Sequence, residues 1–137
     1  MLDSIDRKII EVLQQNSRAS FVEIGKQIPL SASSVRERIQ KLEDLEIIKA
    51  YSLKVDHAKM GYGLEVFIMI KLFSGKLKSF MGAIDSFPEV KRASRITGSH
   101  NIHMKVVLKD QLHLQQFIDK LINYGEPTTH LILSELK

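Results

Sequence analysis

The 137-residue sequence predicts an α+β chain in two parts. A winged helix-turn-helix of three helices comes first, and a strand and hinge join it to a βαββαβ module of the ferredoxin-like kind. Three observations predict this. Apolar residues up to about position 45 recur at helical spacing, with capping residues ahead of each run. Two glycines, Gly61 and Gly63, punctuate the middle of the chain. After them, strand-like and helix-like stretches alternate to the end. The expected boundaries are residues 1–50 for the helical part, 51–63 for the strand and hinge, and 64–137 for the βαββαβ part.

In the first helix Ile5, Ile9, Val12 and Leu13 fall on one face. Asp3 suits its N-cap, and Asn16-Ser17 ends the pattern. Asp3 and Asp6 read as helix-start acids, which favour the positive end of the helix dipole. The second helix opens on "SFVE", a capping box of Ser20 and Glu23. Phe21, Ile24 and Ile28 share its apolar face, and Pro29 stops it by pushing the preceding residue out of the α region. The third helix starts at Ser31. Val35, Ile39, Leu42 and Leu45 are expected inward, and Ser33, Ser34, Arg36, Glu37, Arg38 and Lys41 outward.

The stretch "IIKAYSLKV" reads as a strand or wing, and "DHAKMGYG" as the hinge. "LEVFIMIKL" is apolar on both faces, as in a strand buried beneath helices. "KLKSFMGAIDSF" aligns Leu77, Phe80, Met81, Ile84 and Phe87 on one helical face. "EVKRASRI" reads as a half-buried strand, "TGSHN" as a turn and "IHMKVVL" as the next strand. Asp110 caps a helix whose apolar face is Leu114, Phe117, Ile118, Leu121 and Ile122. "YGEP" closes that helix, and "TTHLILSEL" alternates as a last strand. A one-sided sheet leaves its other face uncovered. Ile68, Ile70, Leu131, Leu133 and their alternates are too apolar for both faces to meet water, which implies self-association through the uncovered face or the edges.

Composition narrows the function. There is no cysteine, which excludes a disulfide framework and thiolate metal sites and suits a cytoplasmic protein. No apolar run approaches a membrane span, and "MLDSIDRKII" lacks a signal-peptide core. The net charge of +4 hints at a polyanionic partner, but residues 1–50 hold eight Lys/Arg against eight Asp/Glu. Local placement therefore carries the argument. From Ser31 to Lys41 three cations face one acid, Glu37. A helix whose first turn has only short side chains can bring its amide ends close to a double-helix groove, with Arg36, Arg38 and Lys41 reaching bases or backbone.

An enzyme is not expected. No phosphate-cradling glycine loop or nucleophile elbow is present, and no catalytic or metal set emerges. His100 and His103 form an HxxH, but a turn and a strand do not place them on one face as a helix would. No cofactor is implied. The alternative is a small-molecule-binding regulatory and oligomerisation module without operator-specific DNA binding.

"LDSIDRKIIEVLQQNSRAS", "EIGKQIPLSASSVRERIQKLEDLEII" and "ITGSHNIHMKVV" resemble the Lrp/AsnC, or feast/famine, family of transcription regulators over nearly the whole chain. The resemblance implies double-stranded DNA as partner. It implies DNA contacts from Arg18, Ser20, Ser33, Ser34, Arg36, Arg38 and Lys41. It also implies a small effector, an amino acid or related metabolite, held between dimers by Gly98, Ser99, His100 and Asn101. Dimers are expected to assemble further into tetramers or octamers.

The sequence departs from the family pattern at three positions. Pro29 stands where the helix-turn-helix turn usually has glycine, so the turn closes differently. Glu46 stands where glycine follows the recognition helix, and a left-handed cap there costs about 1 kcal/mol. Asn101 replaces an aspartate that would pair with a ligand ammonium, which weakens amino-acid binding.

Overall fold

A computed structural model describes all residues, Met1–Lys137. The chain divides into two compact units, Met1–Lys54 and Val55–Lys137.

The first unit contains α1 (Ser4–Gln15), α2 (Phe21–Gln27) and α3 (Ala32–Asp44). Each begins at the expected cap. Asp3 accepts the Asp6 amide at 2.8 Å, and the Asp6 side chain accepts the Asp3 amide in return. Ser20 and Glu23 exchange the same pair of bonds, and Ser31 Oγ accepts the Ser34 amide. Ile9, Ile24, Ile28, Val35, Ile39 and Leu42 form the core. Burying each stabilises the unit by roughly 1.5–3 kcal/mol. Two expected inward residues stay outside: Phe21 is 40% exposed and Leu45 is 52% exposed. Phe21 sits in the first turn of α2, and Leu45 follows the last turn of α3. Each lies at a helix end, beyond the strip of the face that meets the core.

No wing or strand forms between α3 and the glycines. The backbone from Lys49 to Asp56 is irregular, followed by a 3-10 turn at Ala58–Met60. The physical reason is pairing. A strand needs a neighbour for its N–H and C=O groups, and this chain supplies none there. The Tyr51 hydroxyl instead donates to Glu43 Oε1 at 3.1 Å.

The second unit follows the expected order: β1 (Leu64–Leu72), α4 (Leu77–Ala83), β2 (Val90–Arg95), β3 (Ile102–Leu108), α5 (Gln111–Leu121) and β4 (Gly125–Leu131). All pairings are antiparallel in the sheet order β2-β3-β1-β4. Val66, Ile68, Ile70, Ile102, Met104 and Val106 are buried and pack with Phe80, Phe117 and Leu121. Rings of Phe80, Phe87, Phe117 and Tyr124 meet edge-on or tilted in this core.

Four details differ from expectation. The fourth strand starts at Gly125, within "YGEP". This is allowed because β4 is an edge strand, where Pro127 gives up no ladder donor that a neighbour needs. Met81 and Ile122 are about half exposed, since α4 gives way to a 3-10 turn at Ile84–Ser86 and Ile122 lies just past α5. β2 is exposed beyond Val90, as an edge strand with a bulge between Val90 and Arg92. The uncovered face is mixed rather than apolar. Phe67 and Met69 share it with His103, Lys105 and His130, and the Phe67 and His103 rings lie 5.0 Å apart.

Candidate nucleic-acid interface and effector loop

The front of α3 is a cluster of hydroxyls. Ser31 Oγ donates to Ser34 Oγ at 2.9 Å and lies 3.1 Å from Ser33 Oγ. Ser33 is exposed and Ser34 half-buried. Arg36 and Lys41 are exposed and make no ion pair within the chain. Arg18 is also exposed, in the corner that the Asn16 side chain fixes by accepting the Arg18 amide at 3.1 Å. The Ser20 hydroxyl oxygen accepts the Glu23 amide, which leaves its proton free to donate outward.

Arg38 corrects the outward expectation. Its Nη1 donates to Asp3 Oδ2 at 2.7 Å and to Asp6 Oδ1 at 3.0 Å. The guanidinium that donates to Asp3 holds its carboxyl down at about 2, with the Asp6 amide assisting. The two acids raise the Arg38 pKa further. Arg38 is thus tied to α1 rather than standing free on the outer face. Asp6 is the buried charged residue of the chain, at 5% exposure.

The turn between α2 and α3 closes without glycine at Pro29. The Leu30 amide reaches back to the Gly25 carbonyl. The Leu30 carbonyl oxygen in turn stands 2.5 Å from the point a Gly25 Cβ would occupy, too close for any side chain. No capping, turn or charge motif marks Gly25 in the sequence. A glycine inside a helical pattern, which costs about 1 kcal/mol against alanine, was the available signal. At the other end of α3, Glu46 has φ +57°, the left-handed cap expected where glycine is missing.

In the second unit the hairpin between β2 and β3 carries Gly98, Ser99, His100 and Asn101. Gly98 has φ +106°, which a turn reserves for glycine. The amides of Thr97 to His100 donate to no partner in the chain. Ser99 Oγ lies 3.0 Å from His100 Nδ1, and His100 Nε2 lies 3.4 Å from Thr128 Oγ1 on β4. Asn101 is already employed. Its Oδ1 accepts the Leu72 amide at 2.7 Å, its amide donates to the Ile70 carbonyl, and its carbonyl accepts from Ile96. A neutral oxygen free to receive a ligand ammonium is therefore not what the fold presents. At the base of the same hairpin, Arg95 and Ile102 line a mostly apolar cleft of about 180 Å³ with Phe80, Met81, Ile84 and Ala93.

Residues 2–43 match the AsnC-type helix-turn-helix domain, and residues 65–137 match the Lrp/AsnC ligand binding domain. The chain is 35% identical to the HTH-type transcriptional regulator LrpC of Bacillus subtilis over 98% of its length and 94% of the relative's. The solved structure of B. subtilis LrpC superposes with a TM-score of 0.95 over 100% of this chain and 98% of that one, at 34% identity. The transcriptional regulator NMB0573 of Neisseria meningitidis, solved as an L-Met complex, superposes at 0.94 over 100% and 93%, at 27% identity. With both halves matched in order by this family's domains, the chain belongs to the Lrp/AsnC family of helix-turn-helix transcriptional regulators.

Proposed function

We propose that this regulator seats the front of α3 in the major groove of double-stranded DNA. Ser33 and Ser34 allow the close approach, Arg36 and Lys41 supply base or phosphate contacts, and Arg18 and Ser20 hold the adjacent backbone. The observation that carries this is the pair of exposed, unpaired cations beside a helix front of short hydroxyl side chains. Anisotropy titration of duplex DNA selected by the wild-type chain tests it. Losing a base contact at Arg36 should cost about 1–3 kcal/mol, and losing a phosphate contact should lower the salt slope by about one. Unchanged binding by both Arg36→Ala and Lys41→Ala would overturn it.

The effector we propose is a small amino acid with an apolar side chain. The free amides of Thr97 to His100 suit its carboxylate, in the manner of a nest. The neighbouring apolar cleft suits its side chain. A relative with L-methionine bound supports the class. Binding is weak, because Asn101 brings no charge and already accepts the Leu72 amide. The protein works in the cytoplasm as a dimer, or an assembly of dimers, formed through the uncovered sheet face around Phe67 and Met69. Sedimentation at micromolar concentration tests this, and a monomer would refute it.

A further inference from the structure

Asp3, Asp6 and Arg38 form a closed hydrogen-bond network. Each carboxylate oxygen has one donor. Asp3 Oδ1 takes the Asp6 amide and Asp3 Oδ2 takes Arg38. Asp6 Oδ2 takes the Asp3 amide and Asp6 Oδ1 takes Arg38. The same two acids thus cap α1 and grip the middle of α3, 32 and 35 residues away. A buried carboxylate needs this full set of partners, because an unpartnered charge is costly to bury. Both side-chain bonds come from the single nitrogen Nη1. This is not the two-nitrogen fork with which arginine reads guanine.

We propose that Arg38 is a positioning residue rather than a DNA contact, and that the Asp3–Arg38–Asp6 clasp sets the angle at which α3 presents Ser33, Arg36 and Lys41. This rests on the reading of α3 as the DNA-contacting helix. The cation of Arg38 is compensated by two carboxylates, so it releases no counterion when DNA binds. The expected arrangement of charge at the interface is then Arg36, Lys41 and Arg18, with Arg38 withdrawn.

The test compares full-length variants on a duplex selected from a random pool by the wild-type chain, at several salt concentrations. Circular dichroism confirms that each variant is folded. Arg38→Ala should bind about ten-fold more weakly with an unchanged salt slope. Arg38→Lys should recover most of that loss, since one nitrogen serves both acids. Asp6→Asn should weaken binding even though it removes a negative charge. A salt slope lowered by about one for Arg38→Ala would overturn the clasp in favour of a phosphate contact. Arg38→Lys as weak as Arg38→Ala would overturn it in favour of a base contact, and tighter binding by Asp6→Asn would also overturn it. Arg36→Ala and Lys41→Ala are the controls. If both leave affinity and slope unchanged, the reading of α3 fails; if they act as expected and only Arg38 departs, the clasp alone fails.

Discussion

A Cβ on Gly25 would stand 2.5 Å from the carbonyl oxygen of Leu30. The obstacle is backbone, so relief requires the α2–α3 turn to move. Gly25→Ala is therefore expected to destabilise the chain by about 1–3 kcal/mol, the usual cost of overpacking, despite alanine's better helix propensity. Urea unfolding of the variant checks this; a gain in stability would mean that the turn yields freely.

Glu46 holds φ +57° with no side-chain partner. Glu46→Gly should raise stability by about 1 kcal/mol, since glycine adopts the left-handed region without strain. Thermal melts of the two proteins decide it, and an unchanged or lower midpoint would show that the strain is compensated.

Asp3 titrates at about 2 in the folded chain, below its ordinary value of 3.8. A depressed folded pKa means that the stability it contributes is fully present above pH 3.8 and is lost as pH falls towards 2. The difference in melting temperature between wild type and Asp3→Asn should therefore be constant from pH 5 to 8 and shrink below about pH 4. A difference that persists at pH 2 would place the effect in the cap rather than in the charge.

Asn101→Asp should bind an apolar amino acid about ten-fold more tightly than wild type. One carboxylate oxygen keeps the Leu72 amide, and the other adds a charge-assisted bond to the ammonium. Calorimetry with an amino-acid panel reads this directly. Equal affinities would locate the ammonium elsewhere.

What was legible in the sequence was local. Asp3, Ser20 with Glu23, Ser31 and Asp110 each bond an amide three residues on, so spacing alone discloses them. The βαββαβ order follows from period and turn residues in the same way. The misses are long-range or positional. Arg38 belongs to an outward register by helical period, yet its partners lie on another helix. Asn101 looks like a loop polar residue, yet it accepts from Leu72, 29 positions earlier. The wing at "AYSLKV" failed because strand propensity cannot supply a neighbour. The proposed effector loop was legible only through Gly98 and the family likeness, since the Thr128 partner of His100 lies on a separate strand.

Both rims of the sheet are unsuited to runaway stacking. On one side β2 is broken by its bulge and exposes Lys91, Arg92 and Arg95. On the other, Pro127 deletes a donor from β4. Charges, bulges and prolines are the devices that keep edge strands from templating further copies into fibrils. Self-association is thereby directed away from open-ended edge pairing, which leaves the uncovered sheet face as the surface on which copies can meet in a closed number.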